Sequence, residues 1–314
     1  MAKEVRDVVM IGAGPSALAA AVYTTREDID TVLYEKGVVG GLAAITDIVD
    51  NYPGFPEGVP GLQLAQQLRK QAERFGAQIE LGDVSSIRDE GDTKVVVVDG
   101  QEVRARAVLI ATGSDYNKIG VPGEAEYYGR GVHYCATCDG AFYRDKKLVV
   151  VGGGNSAYQE AMFLTRFATH IDILVRSEVR ASEVLQHDMQ KFIDEGKVTV
   201  HLQTSTDEIV GGENGKVVAV KATKEGQPVT FETDGVFVFV GLKPNTQFLE
   251  GSGVELDEQG LVKTDSHMMT NIPSIYASGD VRSGATMQIA SATGEGATAA
   301  LAIREYLDGK KFKQ

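Results

Sequence analysis

The feature that most constrains this 314-residue chain is a pattern it uses twice. Residues 8–26 and 148–166 align at a constant offset of 140, with eight identities in 19 positions. The matches are Val9/Val149, Gly12/Gly152, Gly14/Gly154, Ser16/Ser156, Ala17/Ala157, Ala21/Ala161, Thr25/Thr165 and Arg26/Arg166. Each copy has a short apolar run, a glycine turn and a helical stretch of small residues. Runs that short and β-branched suit strands buried in a parallel sheet. A Gly-x-Gly-x-x-Ala turn after such a strand brings bare backbone up to a pyrophosphate and sets that anion on a helix N-terminus. Two nucleotide-binding units are the economical reading, and the length allows about two domains.

The first copy has its full context. Val8–Ile11 reads as a strand, Gly12, Gly14, Pro15 and Ser16 as the turn, and a helix runs to about Arg26. Thr31–Glu35 is the next strand, ending on an acid 23 residues past Gly12. Glu35 can accept a hydrogen bond from a ribose hydroxyl. The second copy keeps Gly152, Gly154, Asn155 and Ser156 but not the acid. At the same offset Glu35 falls on Val175, and Lys36 on Arg176. A missing acid beside an arginine favours a 2′-phosphate over a bare hydroxyl. Arg176 and Arg180 read equally well as solvated surface charges. The fold class is therefore α/β, with two Rossmann-like dinucleotide-binding units.

The only two cysteines, Cys135 and Cys138, stand immediately ahead of the second strand, Leu148–Val151. A zinc site needs about four ligands, and the five histidines form no pair at ligand spacing. The pair therefore reads as a redox dithiol. Asp139 is placed to move a proton for it, or to cap a helix. His133 reads as a neutral polar residue. Elsewhere, Gly61–Arg74 has helical spacing, Asp99-Gly100 marks a hairpin turn, and Ala107–Gly113 reads as a strand. Further strands are expected at His170–Val175 and Gly235–Gly241, and a last helix ends near Leu307. The net charge of −13 argues against nucleic acid and anionic membrane as partners. No apolar run approaches the ~20 residues of a membrane span. Residues 1–7 hold no apolar signal core, so a cytoplasmic protein is expected, where a lone disulfide is catalytic rather than structural.

Taken together these residues resemble the low-molecular-weight thioredoxin reductases, nearly end to end. The resemblance rests on the Gly12–Ala17 turn, Gly40-Gly41, Asn51–Phe55, Ala111-Thr112-Gly113, Cys135–Asp139, Gly152–Ala157, Pro244–Thr246 and Ser278–Asp280. It implies the three-layer ββα type of fold, with an FAD-binding domain at 1–117 and 246–314. A nicotinamide-nucleotide-type domain carrying the dithiol, 118–245, is inserted into it. It also implies FAD contacts at Gly12, Gly14, Pro15, Ser16, Glu35, Lys36, Gly41, Leu42, Asn51, Val84, Ala111, Thr112, Gly113, Gly279, Asp280, Gln288 and Ile289. It further implies a homodimer, and a domain rotation that lets the dithiol alternate between flavin and substrate. Cys138 then faces the flavin, Cys135 attacks the disulfide of thioredoxin or a thioredoxin-like protein, and Asp139 handles the proton.

The departures from the family pattern bear mainly on the electron donor. NADPH is the family default, at Gly152, Gly154, Asn155, Ser156, Arg176 and Arg180. The usual basic 2′-phosphate motif is His-Arg-Arg, three residues, then Arg. Here the stretch is Val175-Arg-Ser-Glu-Val-Arg180, shorter and carrying the opposing charge of Glu178. Leu42, Leu242 and Met287 also replace the usual Gln, His and Arg. Losing one charge-assisted phosphate contact costs on the order of 1.5–3 kcal/mol. The departures therefore shift the expectation from NADPH towards ferredoxin or another donor. Two competing readings are a flavin-bound redox sensor without turnover and the reductase component of a peroxide-reducing system. The intact dithiol beside Asp139 argues against the first. The absence of a preceding thioredoxin-like module argues against the second.

Overall fold

The structure is a computed structural model that describes residues 5–46, 48–49 and 51–309. The outer ends of the expected discontinuous domain, 1–4 and 310–314, lie outside the described residues. Two compact units make up the chain: residues up to Asp115 with those from Lys243, and Tyr116–Leu242. The boundaries read from sequence, 117/118 and 245/246, fall two and three residues later.

The first unit is built on a parallel sheet. Its strand order is Gln78–Leu81, Thr31–Glu35, Val5–Ile11, Gln101–Ile110 and Ile275–Ala277. Side chains alternate between the two faces. Val8, Met10, Leu33, Leu109 and Tyr276 form one core with helices Pro15–Thr25 and Ile289–Leu307. Val9, Ile11, Val32, Val108, Ile110 and Ile275 form another with Val84, Ile87, Val96 and Val98. Those last residues come from the antiparallel strands Val84–Asp89 and Lys94–Val98, which continue into Gln101–Ile110. The strand read at Ala107–Gly113 is the end of a longer one, Gln101–Ile110, which starts at the hairpin turn and stops short of residues 111–113. Nothing between Val103 and Ala107 breaks it, so one strand serves both layers. At the hairpin, Asp99 and Gly100 both have positive φ, +47° and +77°, the turn hand that matches strand twist. Helix Gly61–Arg74 forms as expected, although Leu62 is 52% exposed and lies off the buried face.

The second unit repeats the plan. Its parallel sheet runs Val132–His133, Gly235–Val238, Lys147–Val151, His170–Leu174, Val198–His201. Helices Asn155–Leu164 and Glu183–Asp194 cover one face, packing on Leu148, Val150, Ile171, Ile173 and Phe237. The antiparallel strands Thr204–Gly211, Val217–Lys224 and Gln227–Glu232 cover the other. The strand expected at 235–241 ends at Val238. Phe239 N–H still donates to the Val151 carbonyl at 2.8 Å, and the chain then turns at Gly241, φ +103°. Both units are thus three-layer ββα Rossmann-like folds. Among the described residues, no helix is long and apolar enough to cross a membrane.

Helices Pro15–Thr25 and Ile289–Leu307 come into backbone contact at Gly296. A Cβ there would overlap the Ser16 carbonyl oxygen, whereas one at Gly294 would meet nothing within 4 Å. Gly296→Ala should therefore cost about 1–3 kcal/mol of stability. Gly294→Ala should be neutral or gain up to ~1 kcal/mol from helix propensity. Urea midpoints at an unchanged m-value would show the opposite signs.

Candidate redox site and nucleotide turns

Cys135 and Cys138 are joined as a disulfide, with Cα atoms 5.4 Å apart. The bridge opens the short helix Ala136–Asp139. Three residues of separation on one helical turn bring the two sulfurs together. The Cys135 sulfur also accepts a hydrogen bond from Cys138 N–H at 3.2 Å. Ala136 beneath it is buried, while both cysteines are partly open and Thr137 is exposed. The pair is thus anchored from below and reachable from outside.

Asp139 sits 3.1 Å, Oδ2 to Nδ1, from His133. The other ring nitrogen of His133, Nε2, lies 2.7 Å from the Tyr143 hydroxyl. The sequence reading of His133 as a neutral polar residue missed this link. The only sequence signal was its place two residues before Cys135. Strand pairing of His133 with Phe237 fixes the ring, stacked on Phe237 at 5.1 Å between centroids. Burial, helped by the charges of Asp139 and Asp234, pushes the Tyr143 phenol well above its ordinary value.

In the first unit the Gly12 turn is built for close backbone approach. Gly12 has φ +94°, and a Cβ there would fall 2.5 Å from the Ala111 carbonyl oxygen. Gly14 has open space where a Cβ would point. Glu35 holds the turn from beneath. Its Oε2 accepts from Ala13 N–H at 2.8 Å, and its Oε1 accepts from Gly37 N–H at 2.8 Å. Each oxygen keeps a second lone pair for a ligand hydroxyl. Gly12, Glu35, Lys36, Val84 and Thr112, all singled out from sequence, line one cavity of about 340 Å³. Gly82, Asp83 and Gln247 line it too and had no sequence signal, and so does Asn245, which the sequence offered only within the motif Pro244–Thr246. Asn245 is locked in place by its side-chain bond to the Thr112 carbonyl at 3.1 Å.

A second group of expected residues meets beside this turn. Ser16 and Ser278 hydroxyls lie 2.6 Å apart. Gly279 packs against Ser16, with room for a Cβ only at 3.1 Å. A Cβ on Gly41 would touch the Gly14 Cα at 3.7 Å. Asn51 donates to the Gln288 side chain at 3.0 Å, at the head of helix Ile289–Leu307. Pro15 opens helix Pro15–Thr25. Asp280 is largely buried beside Glu295, which accepts from Gly279 N–H at 2.8 Å and pairs with Arg282.

In the second unit the turn is present but differently surrounded. The position of the acid is taken by Val175, 2% exposed and part of the core. The Gly153 carbonyl accepts from Arg180 N–H at 2.6 Å and Ala181 N–H at 3.0 Å, and Asn155 accepts from Ser182 N–H at 2.8 Å. The following loop is thereby tied to the turn. Asn155, Ser156, Arg176, Glu178 and Arg180 are exposed.

The profile of the pyridine nucleotide-disulphide oxidoreductases matches residues 6–296. The chain belongs to that family. A thioredoxin reductase of Bacillus subtilis is 43% identical over 309 residues, covering 98% of this chain and 96% of that protein. One from Listeria innocua is 42% identical, at the same coverages. The crystal structure of the Streptococcus pyogenes thioredoxin reductase matches with a TM-score of 0.92 at 38% identity, over 97% of this chain and 99% of that one. Within the family the chain is thus one of the thioredoxin reductases, FAD-dependent disulfide oxidoreductases.

The first unit fits FAD: a glycine turn with open space at Gly14, an acid under it and a cavity beside it lined by both. Burial first, then the charge of Glu295, raises the Asp280 carboxyl to about 6. The sign is destabilising for the charged form. In protein stripped of flavin, the favourable neutral form is lost as pH rises through about 6. Asp280→Asn should therefore stabilise the stripped protein by on the order of 2 kcal/mol at pH ~8 and by little at pH ~4. Thermal unfolding of both proteins across that range checks it.

Proposed function

We propose that the chain passes electron pairs through FAD and the Cys135–Cys138 dithiol to the disulfide of thioredoxin or a thioredoxin-like protein. The observation that carries this reading is a reachable Cys135–Cys138 disulfide followed directly by an acid, on a unit of nucleotide-binding fold. Residues up to 117 and from 246 form the FAD-binding domain, and 118–245 the dithiol domain. Bound FAD supplies a two-electron carrier. The backbone at Gly12, Gly14, Pro15 and Ser16 would hold its phosphates, and Glu35 its ribose. Lys36, Val84 and Thr112, which line the cavity, would contact it there, with Ala111 and Gly113 beside Thr112. Gly41, Leu42, Asn51, Gly279, Asp280, Gln288 and Ile289 would hold the part nearer the C-terminal helix.

At the dithiol, the Cys135 thiolate attacks the substrate disulfide and forms a mixed disulfide. One substrate thiolate leaves and takes a proton by way of Asp139. Cys138 then attacks the Cys135 sulfur, closes the disulfide seen here and releases the second substrate thiol. Two electrons and two protons leave with the substrate. A homodimer is the assembly the family resemblance supports.

For the donor, two readings stand. NADPH would use Gly152, Gly154, Asn155, Ser156, Arg176 and Arg180. A donor other than NADPH, such as ferredoxin, is favoured by one observation: the loop after the second unit's ribose position offers only Arg176 and Arg180, with Glu178 between them. One solved neighbour described as an atypical thioredoxin reductase, from Desulfovibrio vulgaris, aligns over 97% of the chain at 32% identity and a TM-score of 0.53.

Anaerobic titration of the oxidised flavoprotein with NADPH, NADH and reduced ferredoxin, followed by oxidised thioredoxin, tests both points. Thioredoxin should be reduced stoichiometrically, and Cys138→Ser should block this while retaining FAD. Enzyme reduced at its flavin that leaves thioredoxin oxidised would sink the proposal. Flavin bleached rapidly by one equivalent of NADPH would remove the second donor reading.

A further inference from the structure

Asp139 does not stand alone: it ends a hydrogen-bonded chain of three side chains, Asp139, His133 and Tyr143. His133 is 8% exposed, and its two nitrogens have one partner each. Its ring is clamped between Phe237, stacked at 5.1 Å, and Tyr143, edge-on at 5.3 Å. Tyr143 in turn fits over Gly235, where any Cβ would collide with its ring. The carboxylate is thus oriented from a rigid parallel sheet rather than from the short helix that carries it.

We propose that His133, backed by Tyr143, is a positioning residue that lets Asp139 hold and release one proton during disulfide exchange. The inference rests on the disulfide-reductase reading above. With the dithiol oxidised, as here, Asp139 Oδ2 accepts from His133 Nδ1–H, while Nε2 accepts from the Tyr143 hydroxyl. On uptake of one proton, Asp139 carries it on Oδ1, the oxygen not engaged by His133. Both states keep both hydrogen bonds, because a protonated carboxyl still accepts through its other oxygen. His133 keeps one tautomer throughout, and no other proton moves. Burial keeps the Tyr143 phenol protonated throughout. The other titratable groups facing this chain are Tyr128, whose phenol is raised by burial and then by the Asp139 charge, and Asp234, which faces Tyr143.

The balance closes. Reduced enzyme carries the Cys135 thiolate, the Cys138 thiol and one proton on the trio. Attack by Cys135 forms one S–S bond and breaks the substrate's, and the departing thiolate takes the proton from the trio. Attack by Cys138 re-forms the Cys135–Cys138 bond, and its thiol proton passes through Asp139 to the second departing sulfur. The trio ends unprotonated, the state assigned to the oxidised enzyme.

The dependence on a proton varies with the leaving thiol. Alkyl thiolates are basic and need the proton, whereas the aryl thiolate of DTNB leaves unaided. Holoenzyme is reduced anaerobically with dithionite, so that no natural donor is needed. It is then mixed with oxidised thioredoxin, hydroxyethyl disulfide or DTNB. General acid catalysis contributes ~100-fold or more. His133→Asn should therefore lower the ratio of either alkyl-disulfide rate to the DTNB rate by about tenfold. The ratio should fall further from pH ~6.5 to ~8.5. Tyr143→Phe, which keeps the ring, should move the ratio the same way by a smaller factor. Ratios within about twofold of wild type at every pH, in both variants, would overturn the role of His133. Wild-type enzyme that reduces both small disulfides but not thioredoxin would instead overturn the choice of substrate.

Discussion

Everything in the first unit depends on one close approach: the backbone of Gly12 against the carbonyl of Ala111. Two neighbouring parallel strands, Val5–Ile11 and Gln101–Ile110, end side by side, and their chains must leave the sheet in different directions. Only a glycine at φ +94° can do so without a Cβ striking that carbonyl. Glu35, on the next strand, then braces the turn through Oε2, which accepts from Ala13 N–H, while Gly12 N–H donates to the Tyr34 carbonyl. The cavity follows from the same geometry, since its walls are the ends of these strands and the meander behind them. The second unit solves the same problem the same way. A Cβ on Gly152, φ +145°, would collide with the Phe239 carbonyl.

The two copies therefore share what the sheet requires and differ in what a ligand requires. The turn glycines recur because sterics allow little else. The acid does not recur, because nothing in the packing demands it. Val175 fills that place and gains core contacts with the helix face of the sheet. Burying a valine there contributes about 1.5–3 kcal/mol relative to exposure, a stability gain that a ligand-binding carboxylate would forgo. The loop beyond it is fastened by three backbone amides, from Arg180, Ala181 and Ser182. Its arginine side chains are left exposed.

Much of this was legible in the sequence, for a definable reason. Both nucleotide turns, the paired cysteines and Glu35 are local patterns whose spacing alone carries their geometry. The 140-residue offset exposed the repeated architecture because equivalent positions face equivalent constraints. Illegible features are those made by chain segments far apart. His133 gave no signal beyond its nearness to Cys135, because its orientation depends on strand Gly235–Val238, about a hundred residues on. Asn245 enters the cavity wall only through the return of the chain to Thr112. The raised Asp280 carboxyl depends on its burial and on the charge of Glu295 in helix Ile289–Leu307, neither visible from Ser278-Gly279-Asp280. Strand ends were misjudged where a positive-φ glycine, Gly241, turned an apolar run out of the sheet.

The dithiol shows why both kinds of information are needed. Disulfide exchange asks for two sulfurs that can be reached and a proton source that stays put. Those demands conflict on a short helix at the surface, where a carboxylate without a side-chain partner would sample many orientations. Here the sulfurs take the exposed helix and the acid takes its orientation from the sheet, through His133. The ring bridges the two by stacking on Phe237, a residue of the core that underlies the second nucleotide turn. The repeat that places a nucleotide fold beside the cysteines thus also supplies the rigid surface against which their acid is held. That arrangement needs no residue from the first unit.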